Sequence, residues 1–228
     1  MKTLKTIRWL LLAFPLVLIA AKCIDQDQLV RDASGDWTIV GQIHNDTDIQ
    51  ATAMVLSGKL LDGEGNVLAS TTASPCPQEL SPHTLAVFEL HFANSSALDP
   101  VSYDVRPISG HVQDDPLPLL GVTFSRFTAT RLGEGARITG TINSTRTDAR
   151  PYTGCLAFYD ATGKVVTEVT LAGFGGLTAG KPQPLSLPVP LVQAGATSVR
   201  FWLVGPTDSS DLFASGFQAA VTDVMTIH

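Results

Sequence analysis

The chain carries nearly the same pattern twice, about a hundred residues apart. Trp37-Thr38-Ile39-Val40-Gly41-Gln42-Ile43-His44-Asn45 is echoed by Arg137-Ile138-Thr139-Gly140-Thr141-Ile142-Asn143. Leu60-Leu61-Asp62-Gly63-Glu64-Gly65-Asn66-Val67 is echoed by Phe158-Tyr159-Asp160-Ala161-Thr162-Gly163-Lys164-Val165. The strand glycine and the turn aspartate lie 21 residues apart in the first copy (41 to 62) and 20 in the second (140 to 160). A one-residue difference over that distance fits a loop insertion in a duplicated module. At 228 residues, each copy with its flanks is long enough to bury a small core of its own.

Both copies read as strand. Ile39, Gly41 and Ile43 alternate with Val40, Gln42 and His44, and Ile138, Gly140 and Ile142 alternate with Thr139 and Thr141. That is a period of two. A glycine at the same place in both strands predicts a bulge or a close backbone approach. The next strand runs through Met54, Leu56, Gly58 and Leu60 in one copy and through Leu156 and Phe158 in the other. Each ends in a tight turn, Asp62-Gly63-Glu64-Gly65 or Asp160-Ala161-Thr162-Gly163, where Asp bonds its own backbone two residues on and Gly takes positive φ. Further along, Ala86, Phe88, Leu90 and Phe92 match Leu185, Leu187, Val189 and Leu191. The second set is interleaved with Pro188 and Pro190, which predicts an edge strand because proline cannot donate to a ladder. Residues 101–105 and 199–203 close the copies. Short strands separated by turns give an all-β reading with small antiparallel sandwiches, since one amphipathic sheet must bury its face against another. The expected order is a first sandwich over residues 26–107, a Pro/Asp linker over 108–120, a second sandwich over 121–206 and a docked C-terminal segment over 207–228. In that last stretch Phe213, Phe217, Ala220, Val221 and Val224 fit a helical stripe, whereas 221–227 also fits a strand.

Residues 1–22 read as a signal peptide or membrane anchor rather than as part of the fold. Lys2, Lys5 and Arg8 precede an apolar run over 9–21 that is broken only by Pro15 and closed by Lys22. The run is shorter than the roughly 20 residues a spanning helix needs. Ile19-Ala20-Ala21 suits ordinary signal peptidase, with cleavage before Lys22. Alternatively, Leu18-Ile19-Ala20-Ala21-Lys22-Cys23 resembles a bacterial lipoprotein box, with Cys23 as the lipidation candidate and Lys22 as the departure from that motif. An uncleaved anchor is the third reading. All three place the protein outside the cytoplasm, membrane-anchored on the outer face or secreted. Cys76 and Cys155, one from each copy, would be permitted to pair in an oxidising compartment. Yet Cys155 aligns with Ser57 and Cys76 has no counterpart, so the expectation is two unpaired thiols.

Composition excludes some functions. Formal charge is −6 and 16% of residues are charged. Outside the N-terminal segment no basic cluster collects phosphates, which disfavours nucleic-acid binding. The histidines show no HExxH pairing and no Cys neighbours at zinc spacing. His44-Asn45-Asp46 with Asp48, and Asp62 with Glu64 and Asn66, hint at a cation loop. The second copy replaces them with Asn143-Ser144-Thr145 and with Asp160, Thr162 and Lys164, so the shared requirement is a turn. Thr162-Gly163-Lys164 lacks the upstream glycine of a phosphate loop, and no Gly-x-Ser-x-Gly elbow exists. No catalytic residue, metal or cofactor is expected. Asn45, Asn94 and Asn143 begin glycosylation sequons, two of them at repeat-related positions.

Leu156-Ala157-Phe158-Tyr159-Asp160 followed by Gly163-Lys164-Val165 resembles the motif that names the FxLYD domain, an exported bacterial immunoglobulin-like sandwich. Val40 to Asn45 is similar to that family as well. The first copy departs further, reading Gly58-Lys59-Leu60-Leu61-Asp62, and the second has Phe and Leu exchanged. The resemblance implies two tandem immunoglobulin-like antiparallel β-sandwiches behind the N-terminal segment, in the cell envelope, and carries no catalytic residues with it. The expected function is a non-catalytic spacer or protein-recognition surface, its partner an envelope protein. The alternative is a carbohydrate-binding module using exposed aromatics. Tyr152 and Tyr159 are the ligand-contact candidates, while Trp37 and Trp202 fit core packing on strand periodicity.

Overall fold

The computed structural model describes residues 23–32, 34–114, 117–205 and 218–228. The signal or anchor segment expected over residues 1–22 lies outside them. Among the described residues the regular elements are all strands, and they pair antiparallel. The first half contains β1 (Ile24–Arg31), β2 (Trp37–His44), β3 (Gln50–Leu61), β4 (Val67–Ala73), β5 (Leu85–Phe92) and β6 (Ser102–Gln113). The second contains β7 (Val122–Leu132), β8 (Gly135–Ser144), β9 (Tyr152–Tyr159), β10 (Val165–Phe174), β11 (Gln183–Val189), β12 (Ser198–Val204), β13 (Ala220–Val221) and β14 (Met225–Thr226). The first half forms sheets β1-β2-β5 and β4-β3-β6, and the second forms β7-β8-β11 and β10-β9-β12, strand for strand the same connectivity. β11 is an edge strand, as its prolines predict.

Each pair of sheets encloses a core. Ile39, Ile43, Leu56, Leu60, Phe88 and Leu90 fill the first. Ile138, Ile142, Leu156, Phe158, Phe201 and Leu203 fill the second. The halves then meet face to face. Val40 and Val87 on the outward side of β2 and β5 pack against Cys155, Ala157, Tyr159, Val165 and Trp202 of the second half. Every residue of β9 is consequently buried, because one side of the strand faces its own core and the other faces the first half. Gln28 Nε2 donates to the Val165 carbonyl across the joint (2.5 Å). Cys76 and Cys155 form a disulfide there, with Cα atoms 6.2 Å apart. This corrects the expectation of two unpaired thiols. Absence of a repeat counterpart says nothing about pairing when the bond joins one copy to the other.

The repeated glycine answers to a repeated bulge. β1 slips register between Asp25 and Gln28, opposite Gln42 and Val40. β7 slips between Ser125 and Thr128, opposite Thr141 and Thr139. Gln26 and Arg126 take φ of 51° and 56°, which turns Asp27 and Phe127 inward over the glycine. A Cβ on Gly41 would lie 2.7 Å from Asp27 Cβ, and one on Gly140 would strike the Phe127 ring. Only glycine admits the inward residue.

The second repeated motif is also one device built twice. Asp62 Oδ1 accepts from the Glu64 and Asn66 amides at 2.9 and 2.8 Å. Asp160 Oδ1 accepts from Thr162 and Lys164 at 2.8 and 3.0 Å. Gly65 and Gly163 close the turns at φ of 83° and 84°. The C-terminal stretch is extended where it is described. β13 and β14 pair with β12, so they extend the second half's sheet rather than forming the helical stripe; Phe213 and Phe217 lie outside the described residues. β6 continues to Gln113, into the stretch read as linker, because Gln50 to Val55 pair with Ser109 to Gln113.

Candidate functional site

The joint between the halves leaves clefts beside its apolar contact. β5 is the edge of its sheet, and its outward residues continue past Val87 to Glu89 and His91. β10 is the edge of the opposing sheet and presents Glu168. A cleft of about 600 Å³ is lined by Thr38, Val40, Glu89, Arg131, Val166 and Leu191, among others. A second, of about 470 Å³, contains Glu89, His91 and Glu168 beside Cys76. Two carboxyl groups from different halves therefore face each other in a partly closed space. Burial pushes the Glu168 carboxyl up to about 8, with the Glu89 charge adding and the Thr170 hydroxyl opposing. Burial also raises Glu89, with His91 opposing and Asp32 adding.

Arg31, Arg131 and Asp32, which also line the first cleft, are engaged. Arg31 donates to the Gly35 and Ser96 carbonyls (2.6 and 3.0 Å) and lies 4.0 Å from the Trp37 ring centroid. Arg131 donates to the Ala196 carbonyl at 2.7 Å. Asp32 accepts from the Ser34 and Asp36 amides and pairs with His91 at 3.0 Å. Burial opposes these hydrogen bonds, yet they hold its carboxyl below the usual range.

The residues singled out from sequence lie elsewhere. Tyr152 is 2% exposed and Tyr159 5%. Tyr152 belongs to the second core, and Tyr159 is in the joint. Neither ring offers a face to a sugar, which corrects their choice as ligand contacts. The residues lie on opposite sides of β9, and the packing of the first half buries the side that strand alternation would leave open. Trp202 is likewise buried in the joint, and Trp37 packs on the first core with its ring N–H donating to the Leu98 carbonyl (2.9 Å). Cys23, the lipidation candidate, is buried in the first core, and its carbonyl accepts from the His44 amide (2.6 Å).

The suspected cation loops are self-satisfied. His44 pairs with Asp25 and His83 with Asp48. Asn66 donates to Asp62 Oδ2 (2.9 Å). Among the described residues no three metal-ligating side chains converge. Asn45 is buried, and its amide donates to the Ile49, Leu80 and Ser81 carbonyls, so it is closed to a glycan. Sequence reading missed Glu89, Glu168 and Thr38. Thr38 and Glu89 are polar residues between apolar neighbours on their strands, Glu168 follows Thr167 on its own, and no local motif marks any of them. Among the described residues no helix is long and apolar enough to cross a membrane.

No family model matches the chain, and no curated protein does. Among solved structures, red sea bream transglutaminase is similar with a TM-score of 0.25 and 13% identity, over 90% of this chain and 31% of that one. The chain thus spans less than a third of that enzyme's length. At this score the likeness carries no argument about fold or activity.

Proposed function

We propose that this is a non-catalytic, exported cell-envelope protein. On this reading its two tandem immunoglobulin-like sandwiches, of the FxLYD type, act as a rigid spacer with a protein-recognition surface. The observation that carries the reading is the joint. A buried apolar contact and a disulfide from Cys76 to Cys155 remove the freedom that two modules on a linker would otherwise have. A disulfide also fits an oxidising compartment. Residues 1–22 supply the export signal. Burial of Cys23 in the first core favours release by ordinary cleavage over a lipid anchor, because a thioether-linked lipid would have to leave that core.

The recognition surface we assign is β6. It pairs with β3 and has no strand on its other side among the described residues. Ile108 and Val112 are exposed on it, each at 54%, and a partner's strand would meet open backbone groups there. The test is a photo-crosslinking residue placed at Ile108 or Val112 in the native host, with Lys164 as the control position. A discrete envelope protein should be captured from β6 and not from Lys164. Protein retained in the cytoplasmic fraction, or no adduct at either β6 position, overturns the reading.

A further inference from the structure

We infer that the cleft between the halves binds a small organic cation, an ammonium or guanidinium group on a short hydrocarbon, with Glu89 as its counter-charge. This goes beyond the spacer role and does not depend on where the protein resides.

Three observations converge. First, the space is of ligand size, about 600 Å³, within the range of small-molecule sites. Its walls include Val40, Val166 and Leu191, which suit hydrocarbon. Second, the charge facing it is unbalanced. Arg31 and Arg131 are held by backbone carbonyls, and Asp32 is held by its own turn and by His91. Glu89 makes no hydrogen bond among the described residues, and His91, which opposes the rise of its carboxyl, is itself paired with Asp32. Glu168, in the neighbouring cleft, has the Thr170 hydroxyl (2.9 Å). Glu134 adds further negative charge at the rim. Third, Thr38 lines the same cleft, and its hydroxyl is buried without a hydrogen-bond partner among the described residues, so that a turn about its Cα–Cβ bond would bring it to a ligand there. A buried hydroxyl without a partner is costly, and an N–H of the ligand would supply one.

The chemistry selects against other ligands. An anion would face the Glu89 and Glu134 carboxyl groups. A metal ion would find too few donors, since no three metal-ligating side chains converge among the described residues. An ammonium ion satisfies Glu89 and Thr38 together, while its hydrocarbon covers the valines. Binding should tighten as pH rises, because the raised Glu89 carboxyl must ionise to pair with the ligand.

The test uses the full disulfide-bonded protein, titrated with phenethylammonium by calorimetry and methyl NMR. Phenethyl alcohol and hydrocinnamate serve as the neutral and anionic matches. The expected result is saturable binding of the ammonium probe, with a Kd of about 1 mM or tighter, and shifts at the Val40 and Val166 methyls. Affinity should rise as pH is taken up through and above the ordinary carboxylate range. Glu89→Gln should weaken binding by about tenfold and Thr38→Val by about threefold, while Glu64→Gln, in the β3–β4 turn, leaves it unchanged. Leu191→Arg provides a variant at an exposed rim position, 45% exposed, and should abolish binding without disturbing either core. Equal binding of the alcohol, absence of saturation, or an unchanged affinity in both Glu89→Gln and Leu191→Arg overturns the inference.

Discussion

The two halves are the same backbone with different contents. Both place a bulge opposite a glycine and turn one side chain inward, yet the first half turns in Asp27 and the second Phe127. The residue met from the far sheet changes to match. Asp27 hydrogen-bonds Tyr103, whose hydroxyl is pushed up to about 12 by burial and then by that aspartate. Phe127 stacks on Phe201, with centroids 5.7 Å apart, inside a cluster that also holds Phe124 and Phe174. The edges differ as well. β12 is covered by β13 and β14, whereas β6 has no such cover among the described residues. The duplication has kept the geometry that needs glycine and exchanged the side chains as a pair. A polar inward residue is tolerated where its partner across the core is polar.

The comparison predicts that the second half is the more stable and that its stability rests on aromatic packing. Phe201→Ala should therefore cost about 4 kcal/mol in chemical denaturation. A loss below about 1 kcal/mol would mean the aromatic cluster does not carry the second half. Next in size is the joint. The Cys76→Ser, Cys155→Ser double variant frees a loop with a sequence separation of 79 and should lose about 3 to 4 kcal/mol. Calorimetry should then resolve two transitions, the first half melting at the lower temperature. A single transition would show that the apolar contact alone couples the halves.

The carboxyl pair across the joint gives a smaller effect with a definite sign. Glu168 holds its proton in the folded state up to about 8 but releases it near its ordinary value of 4.5 when unfolded. The folded state binds more protons in that window, so stability falls as pH rises from about 4.5 to about 8 and is flat above it. Thermal scans should show the midpoint dropping by a few degrees over that window in the native protein, and the drop should be much reduced in Glu168→Gln. The opposite sign holds for Asp148, whose carboxyl is taken down to about 2 mainly by the Arg150 hydrogen bond. Its contribution is present above the unfolded value and lost as pH falls towards 2. Smallest is the polar pair of the first bulge. Tyr103→Phe should cost about 1 kcal/mol, and a double-mutant cycle with Asp27→Asn should show coupling. No coupling would leave the two bulges unrelated in their choice of partner.

The candidate site was far less legible than the fold. Asp62 and Asp160 announce their turns because the hydrogen bonds they make are local, reaching two and four residues along the chain. Gly41 and Gly140 mark a bulge for a similar reason, since the crowding comes from the neighbouring strand of the same hairpin. Glu89 and Glu168 have no local signature. Their meaning comes from facing each other across the joint, and either one alone reads as a solvated strand residue. Tyr159 follows the same logic, for alternation tells two faces of a strand apart but not what covers the second.

What the amino-acid sequence determined by itself is everything enforced within one copy: the strands and their periodicity, the aspartate turns, the glycine opposite each bulge and the proline-bearing edge of β11. These depend on φ, on missing N–H groups and on side chains reaching a few residues away. The tertiary structure alone decided how the copies meet. It buried β9 on both sides, joined Cys76 to Cys155 and laid the C-terminal segment against β12. It also brought Glu89 and Glu168 to one cleft. Those outcomes depend on which apolar faces remain after each core has closed, and that remainder is a property of two surfaces in contact, which no stretch of one strand contains.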